Sequence, residues 1–203
     1  MKSPLLEQSV RIFDSLEKWN ALFEIHGAAG DIMANWFEIG ATALRRDFDQ
    51  RPSTGWTCLE WENKQETKWV LTAWGDQSIH LGFGWPDWEY HLIFTAPAPF
   101  DEARARTLLH EPEFQPLAAC FDQEEIASKG GKYRSLACDL RFNPFSGNRE
   151  RDARKRELAW LAAHEPVRFV ENMSSHVRQI TDNPILSALV GELNRRTKTG
   201  VSQ

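Results

Sequence analysis

Between residues 55 and 95 the chain carries four β-type runs: Gly55 to Glu62, Thr67 to Trp74, Ser78 to Trp85 and Trp88 to Thr95. The breaks between them are Asn63-Lys64-Gln65-Glu66, Gly75-Asp76-Gln77 and Pro86-Asp87. A parallel crossover needs about a dozen residues, so breaks this short can only join antiparallel neighbours. The spacing predicts a four-strand antiparallel meander. Six of the nine tryptophans (Trp56, Trp61, Trp69, Trp74, Trp85, Trp88) fall inside it, so bulky rings form either its core or a binding face.

Side chains alternate across a strand, which assigns faces. Ile79, Leu81, Phe83 and Trp85 share one face of the third run; Trp88, Tyr90, Leu92 and Phe94 share one face of the fourth. A two-residue turn at Pro86-Asp87 pairs Trp85 with Trp88 and Gly82 with His91, bringing the apolar sets together. In the first run Leu59 and Trp61 are expected toward the core. Glu60, Glu62, His80, Glu89 and His91 are expected on the opposite face. The second run is apolar on both faces, the mark of a central strand covered on both sides.

Helical patterns flank the meander. Leu16, Trp19, Leu22 and Phe23 recur at helical spacing until Gly27-Ala28-Ala29-Gly30, a natural break. Asp31 can cap a second helix whose stripe holds Ile32, Trp36, Ile39, Ala43 and Leu44. The expected product is a helical hairpin over 5–48, with Arg45 and Arg46 complementing the dipole at its end. A mixed region, 96–147, begins with a short helix capped by Asp101 and contains a fifth strand over Tyr133 to Phe142. Residues 148–196 read as three helices, stopped by Pro166 and restarted after Asn183-Pro184. A frayed tail, 197–203, follows. The fold class is α+β: an antiparallel meander of four to five strands, packed with the N-terminal helical hairpin and the C-terminal helical region. At 203 residues this suits a single domain able to bury its own core.

Cys58, Cys120 and Cys138 lie far apart with no CxxC spacing, which points to reduced thiols and a cytoplasmic location rather than a disulfide framework. No apolar run is long enough to span a membrane and no leader pattern is visible. The formal charge of −5 argues against a dedicated nucleic-acid coat.

Chemistry-bearing residues are few. Glu62-Asn63-Lys64, with Asp47 or Asp49 upstream, has the residue types with which PD-(D/E)xK nucleases hold Mg²⁺ and orient water. No Pro-Asp precedes it, and Lys64 falls in a turn, so no family is named on that triplet. Asp49, Glu62, Lys64, His80 and His91 remain the candidate catalytic residues for a metal-dependent hydrolase or nuclease. Glu60, Glu62, His80 and His91 are the candidate metal ligands, and no cofactor is implied. GxSxG, HExxH and GxGxxG are all absent. Arg149 to Arg156 holds five basic and two acidic residues, a net +3 within the chain's −5, so the remainder stands at −8. Such a run can grip phosphates, acidic proteins or simply water. The expected function is a non-enzymatic regulator that binds a protein partner, with homo-oligomerisation an equal fit and nucleic acid less favoured. Trp36, Trp69, Trp160, Arg149, Arg151, Arg154, Lys155 and Arg156 are the contact candidates, because tryptophan and arginine dominate interface hot spots.

Overall fold

A computed structural model of the chain describes residues 15–83, 92–95, 100–121 and 151–199. Within them the protein is mixed helix and antiparallel sheet. The first helix, α1, runs without interruption from Leu16 to Gln50, so the expected hairpin with a break at Gly27–Gly30 does not form. Two glycines cost about 1 kcal/mol each against alanine, but Ala28 and Ala29 between them are the best helix formers and no proline intervenes. Ser15 caps the start, its hydroxyl accepting from the Lys18 amide. Asp31 is therefore a mid-helix residue. Arg45 lies more than a turn inside the end, and its guanidinium donates to the Glu66 carbonyl at 3.0 Å, holding the turn after β1.

Strands β1 (Trp56–Glu60), β2 (Thr67–Leu71), β3 (His80–Phe83) and β4 (Leu92–Thr95) pair antiparallel in that order. Cys58 stands opposite Trp69 and Trp69 opposite Leu81, so Trp56, Cys58, Trp69, Leu81, Phe83 and Phe94 share one face. That face packs on the helices: Phe83 lies 6.3 Å from Phe37 of α1. Two expectations change here. Gly82 pairs with Ile93 rather than His91, a slip of two residues that leaves the alternation intact. In β1 the core side holds Trp56 and Cys58, while Leu59 is on the other. The run is apolar at both parities, and β2 beside it is buried on both faces, so alternation could not choose.

After β4 come α2 (Glu102–Leu109), a single 3-10 turn at Pro112–Phe114 and the short α3 (Gln115–Ala118). Asp101 caps α2 as expected. The helices α4 (Arg151–His164), α5 (Pro166–Thr181) and α6 (Pro184–Thr197) then follow. Asn183 caps α6 through bonds from Ile185 and Leu186. The start of the expected tail is not frayed: Thr197 is buried, its carbonyl accepts from Asp101, and Lys198 bridges to Phe100. The predicted fifth strand at 133–142 lies outside the described residues.

Helices α4 and α5 form a hairpin on α1. A β-carbon on Gly40 would stand 2.8 Å from the Ala162 β-carbon of α4 and 2.8 Å from the Phe169 ring of α5, so α1 takes both side chains at this position. The core stripe of α1 is Phe37, Ala41, Leu44 and Phe48. Of the expected stripe, Leu44 is in that core, Trp36 and Ala43 pack against it partly buried, and Ile39 is exposed. N-terminal to Phe37, no described side chain of α1 is fully buried. Among the described residues, no helix is long and apolar enough to cross a membrane.

Candidate interaction surface

Helix α4 buries Leu158, Ala159, Leu161 and Ala162 against its neighbours. With that face committed, the row Arg156, Trp160 and His164, spaced four residues apart, is directed outward. Trp160 is 46% exposed. Its ring stacks on His164, with centroids 5.2 Å apart and planes 29° apart. His164 also makes a T-shaped contact with Trp36 from α1, again at 5.2 Å, with planes at 79°. The imidazole thus contacts two indoles from different helices. Arg156, one turn before Trp160, is exposed. Val167, at the start of α5, and Ile39 of α1 are also exposed apolar residues. The arrangement presents an exposed indole in contact with other rings, with a cation one turn away, suited to docking against another surface.

Two residues picked from the sequence for contacts, Trp36 and Trp160, are brought together here with Arg156. Trp69 is not: it is 1% exposed on the core face of the sheet beside Leu81, beneath the surface rather than on it. Arg151, Arg154 and Lys155 belong to α4, their side chains lying outside what is described, as does Arg149. His164 escaped notice, although its place four residues after Trp160 was the available signal.

The residues proposed for catalysis are scattered. Asp49 is exposed in the last turn of α1. Glu62 and Lys64 occupy the turn after β1, where Lys64 Nζ lies 3.8 Å from Glu38. Glu60 shares the core-side parity of the sheet and pairs at its edge with Arg45, 3.7 Å away. His80 lies on the opposite face, so the shared polar face of Glu60 and His80 does not exist. Its cause is the changed parity of β1. Glu89 and His91 lie outside the described residues. Among those described, no three His, Cys, Asp or Glu side chains are grouped to hold a metal.

His80 itself is buried, 2% exposed. Its Nδ1 donates to the Ser78 carbonyl at 2.7 Å, leaving Nε2 as a buried acceptor with no donor among the described residues. Trp61 covers it edge-on at 5.2 Å. Burial, with a smaller contribution from Lys68, pushes its pKa down to about 4, so the ring is neutral near pH 7. Burial likewise pushes the Cys58 thiol up to about 12, which makes it an inert core residue. Comparison with known protein families, with curated proteins and with solved structures finds no match to this chain.

Proposed function

We propose that this protein is an intracellular, non-enzymatic binding or regulatory protein that engages a protein partner through the Trp160–His164–Trp36 surface, with Arg156 at its border. The observation that carries the reading is the exposed indole of Trp160, stacked on an imidazole that itself contacts Trp36. An exposed aromatic already fixed in place loses little entropy on docking, the property that makes tryptophan a hot-spot residue. The matching surface on the partner is an apolar recess for the indole with a carboxylate near the guanidinium. A small inhibitor or regulator of a larger assembly fits this description.

The test is affinity capture from the native host, read by mass spectrometry, with the unaltered chain beside Trp160→Ala and Arg156→Glu. Proteins retained by the unaltered chain and lost from both variants are the expected result. Recovery of the same proteins at the same yield with both variants would remove this surface from consideration.

A further inference from the structure

Among the described residues, β1 has a neighbouring strand on one side only. Hydrogen bonds at its two ends fix which groups that neighbour uses. The Thr72 amide donates to the Gly55 carbonyl at 2.9 Å, and the Trp61 amide donates to the Glu66 carbonyl at 3.3 Å. Antiparallel strands exchange bonds at every second position, so Thr57 and Leu59 also turn their amides and carbonyls toward β2. Trp56, Cys58 and Glu60 then point theirs away from the sheet. The Trp56 amide is spent on the Ser53 carbonyl at 3.1 Å. The amides and carbonyls of Cys58 and Glu60 meet no partner among the described residues. Natural edges are commonly closed by proline, lysine or a bulge. The strand Trp-Thr-Cys-Leu-Glu has neither residue and pairs with β2 in unbroken register.

We propose that this edge takes an extended, basic peptide of a partner protein as an additional antiparallel strand. Outward amides and carbonyls at alternate residues specify main chain in extended form as the occupant. Antiparallel pairing continues the order of the sheet and is the more stable per residue. Charge specifies the side chains. Helix α1 passes alongside β1 in the opposite direction: Glu38 lies 3.8 Å from Lys64, beyond the end of the strand, and Arg45 lies 3.7 Å from Glu60. Asp49 follows Arg45 by one turn on the same flank. Burial and then the charge of Asp49 raise the Cys58 thiol, which sets Asp49 near the middle of β1. With Lys64 given to Glu38 and Arg45 to Glu60, the exposed carboxylates of Asp49 and Glu62 have no cationic partner among the described residues.

Peptide residues opposite Cys58 and Glu60 face α1, and lysine or arginine there answers these acids. The alternate residues lie beside Thr57 and Leu59, both half-buried, and are apolar or β-branched. A second copy of β1 suits the edge less well, because a twofold pairing centred on Cys58 brings the two Asp49 carboxylates toward each other. The edge is separate from the Trp160 surface: Trp36 and Glu38 stand about 200° apart around α1.

In the chain alone, hydrogen exchange at the Cys58 and Glu60 amides should be fast beside that at Thr57 and Leu59. A short synthetic peptide of alternating valine and lysine, titrated by calorimetry at low salt, should bind and slow exchange at both amides. Replacing its lysines with glutamates should weaken binding by about tenfold or more, and Asp49→Lys should weaken binding of the original peptide by about tenfold. Methylating the lysine amides, which face the edge, should abolish binding, whereas methylating the valine amides should not. Slow exchange at Cys58 and Glu60 without peptide, no binding at millimolar peptide, equal binding of the glutamate version, or equal effects of the two methylations overturns the proposal. A dimer that is lost in Glu60→Pro, which removes only an outward amide, overturns it in favour of a second copy.

Discussion

Trp61 lies across the backbone of Gly82: a β-carbon at Gly82 would come within 2.6 Å of Cζ3 of the indole. The ring also covers His80, so this contact closes the second face of the sheet over its buried histidine. Any side chain at Gly82 must push the ring aside and admit water to His80. Gly82→Ala is expected to cost about 1–3 kcal/mol, the usual range for overpacking. Urea denaturation would show it as a lower midpoint at unchanged slope. Trp61→Leu combined with Gly82→Ala should restore part of the loss, because the clash partner is gone.

Gly40 sets up the opposite expectation from the other glycines of α1. Its missing β-carbon admits Ala162 and Phe169, so Gly40→Ala should destabilise even though alanine favours the helix by about 1 kcal/mol. Gly27 and Gly30 have nothing within 4 Å of a built β-carbon. Gly27→Ala and Gly30→Ala should each raise helix stability by about 0.5–1 kcal/mol. Thermal melts of the three variants give the comparison. A stabilised Gly40→Ala would contradict the close meeting of α1 with α4 and α5.

Stability should fall as pH drops from about 6.5 to about 4. His80 is held neutral in the fold down to about 4, whereas the unfolded chain protonates it near 6.5. In that window the unfolded state binds more protons, so acid favours unfolding; the full loss is on the order of 3 kcal/mol. His176, also lowered by burial, acts in the same direction. The His80 share is isolated by subtracting the pH profile of His80→Gln. Parallel profiles for the two proteins would show that His80 is not held neutral.

Asn194 is fully buried and joins α6 to the sheet. Its Oδ1 accepts from the Ile79 amide at 2.9 Å, and its Nδ2 donates to the Val190 carbonyl at 3.0 Å. Asn194→Leu keeps the volume but strands a buried N–H, which costs about 1–3 kcal/mol. Hydrogen exchange at the Ile79 amide should accelerate in this variant beyond the global change in stability. Equal changes at Ile79 and across the core would deny the bond its local role.

Much of the secondary structure was legible because local chemistry dictates it. Asp101 and Asn183 carry side chains that satisfy helix N-terminal amides, and Pro166 and Pro184 suit a first turn, so α2, α5 and α6 begin where those residues stand. Short breaks force antiparallel neighbours, so β1, β2 and β3 follow in order. Gly27 and Gly30 misled because a glycine's cost is small beside the continuity of a helix with good formers on both sides. The polar pair of Glu60 and His80 failed for a different reason. Parity in β1 is undetermined when apolar residues occupy both faces, and one wrong parity moves every side chain across the sheet.

The candidate surface divides along the same line. That Trp36, Trp160 and Arg156 are contact-type residues is written in their chemistry. That Trp69 is sealed in the core while Trp160 stands in water follows only from which helix covers which face. The contact of His164 with indoles from two helices likewise required α4 to pack on α1 near Gly40. Local sequence sets the period and ends of each element through hydrogen bonding and backbone freedom. Tertiary packing chooses the buried face, because that choice is made by surfaces distant in the chain.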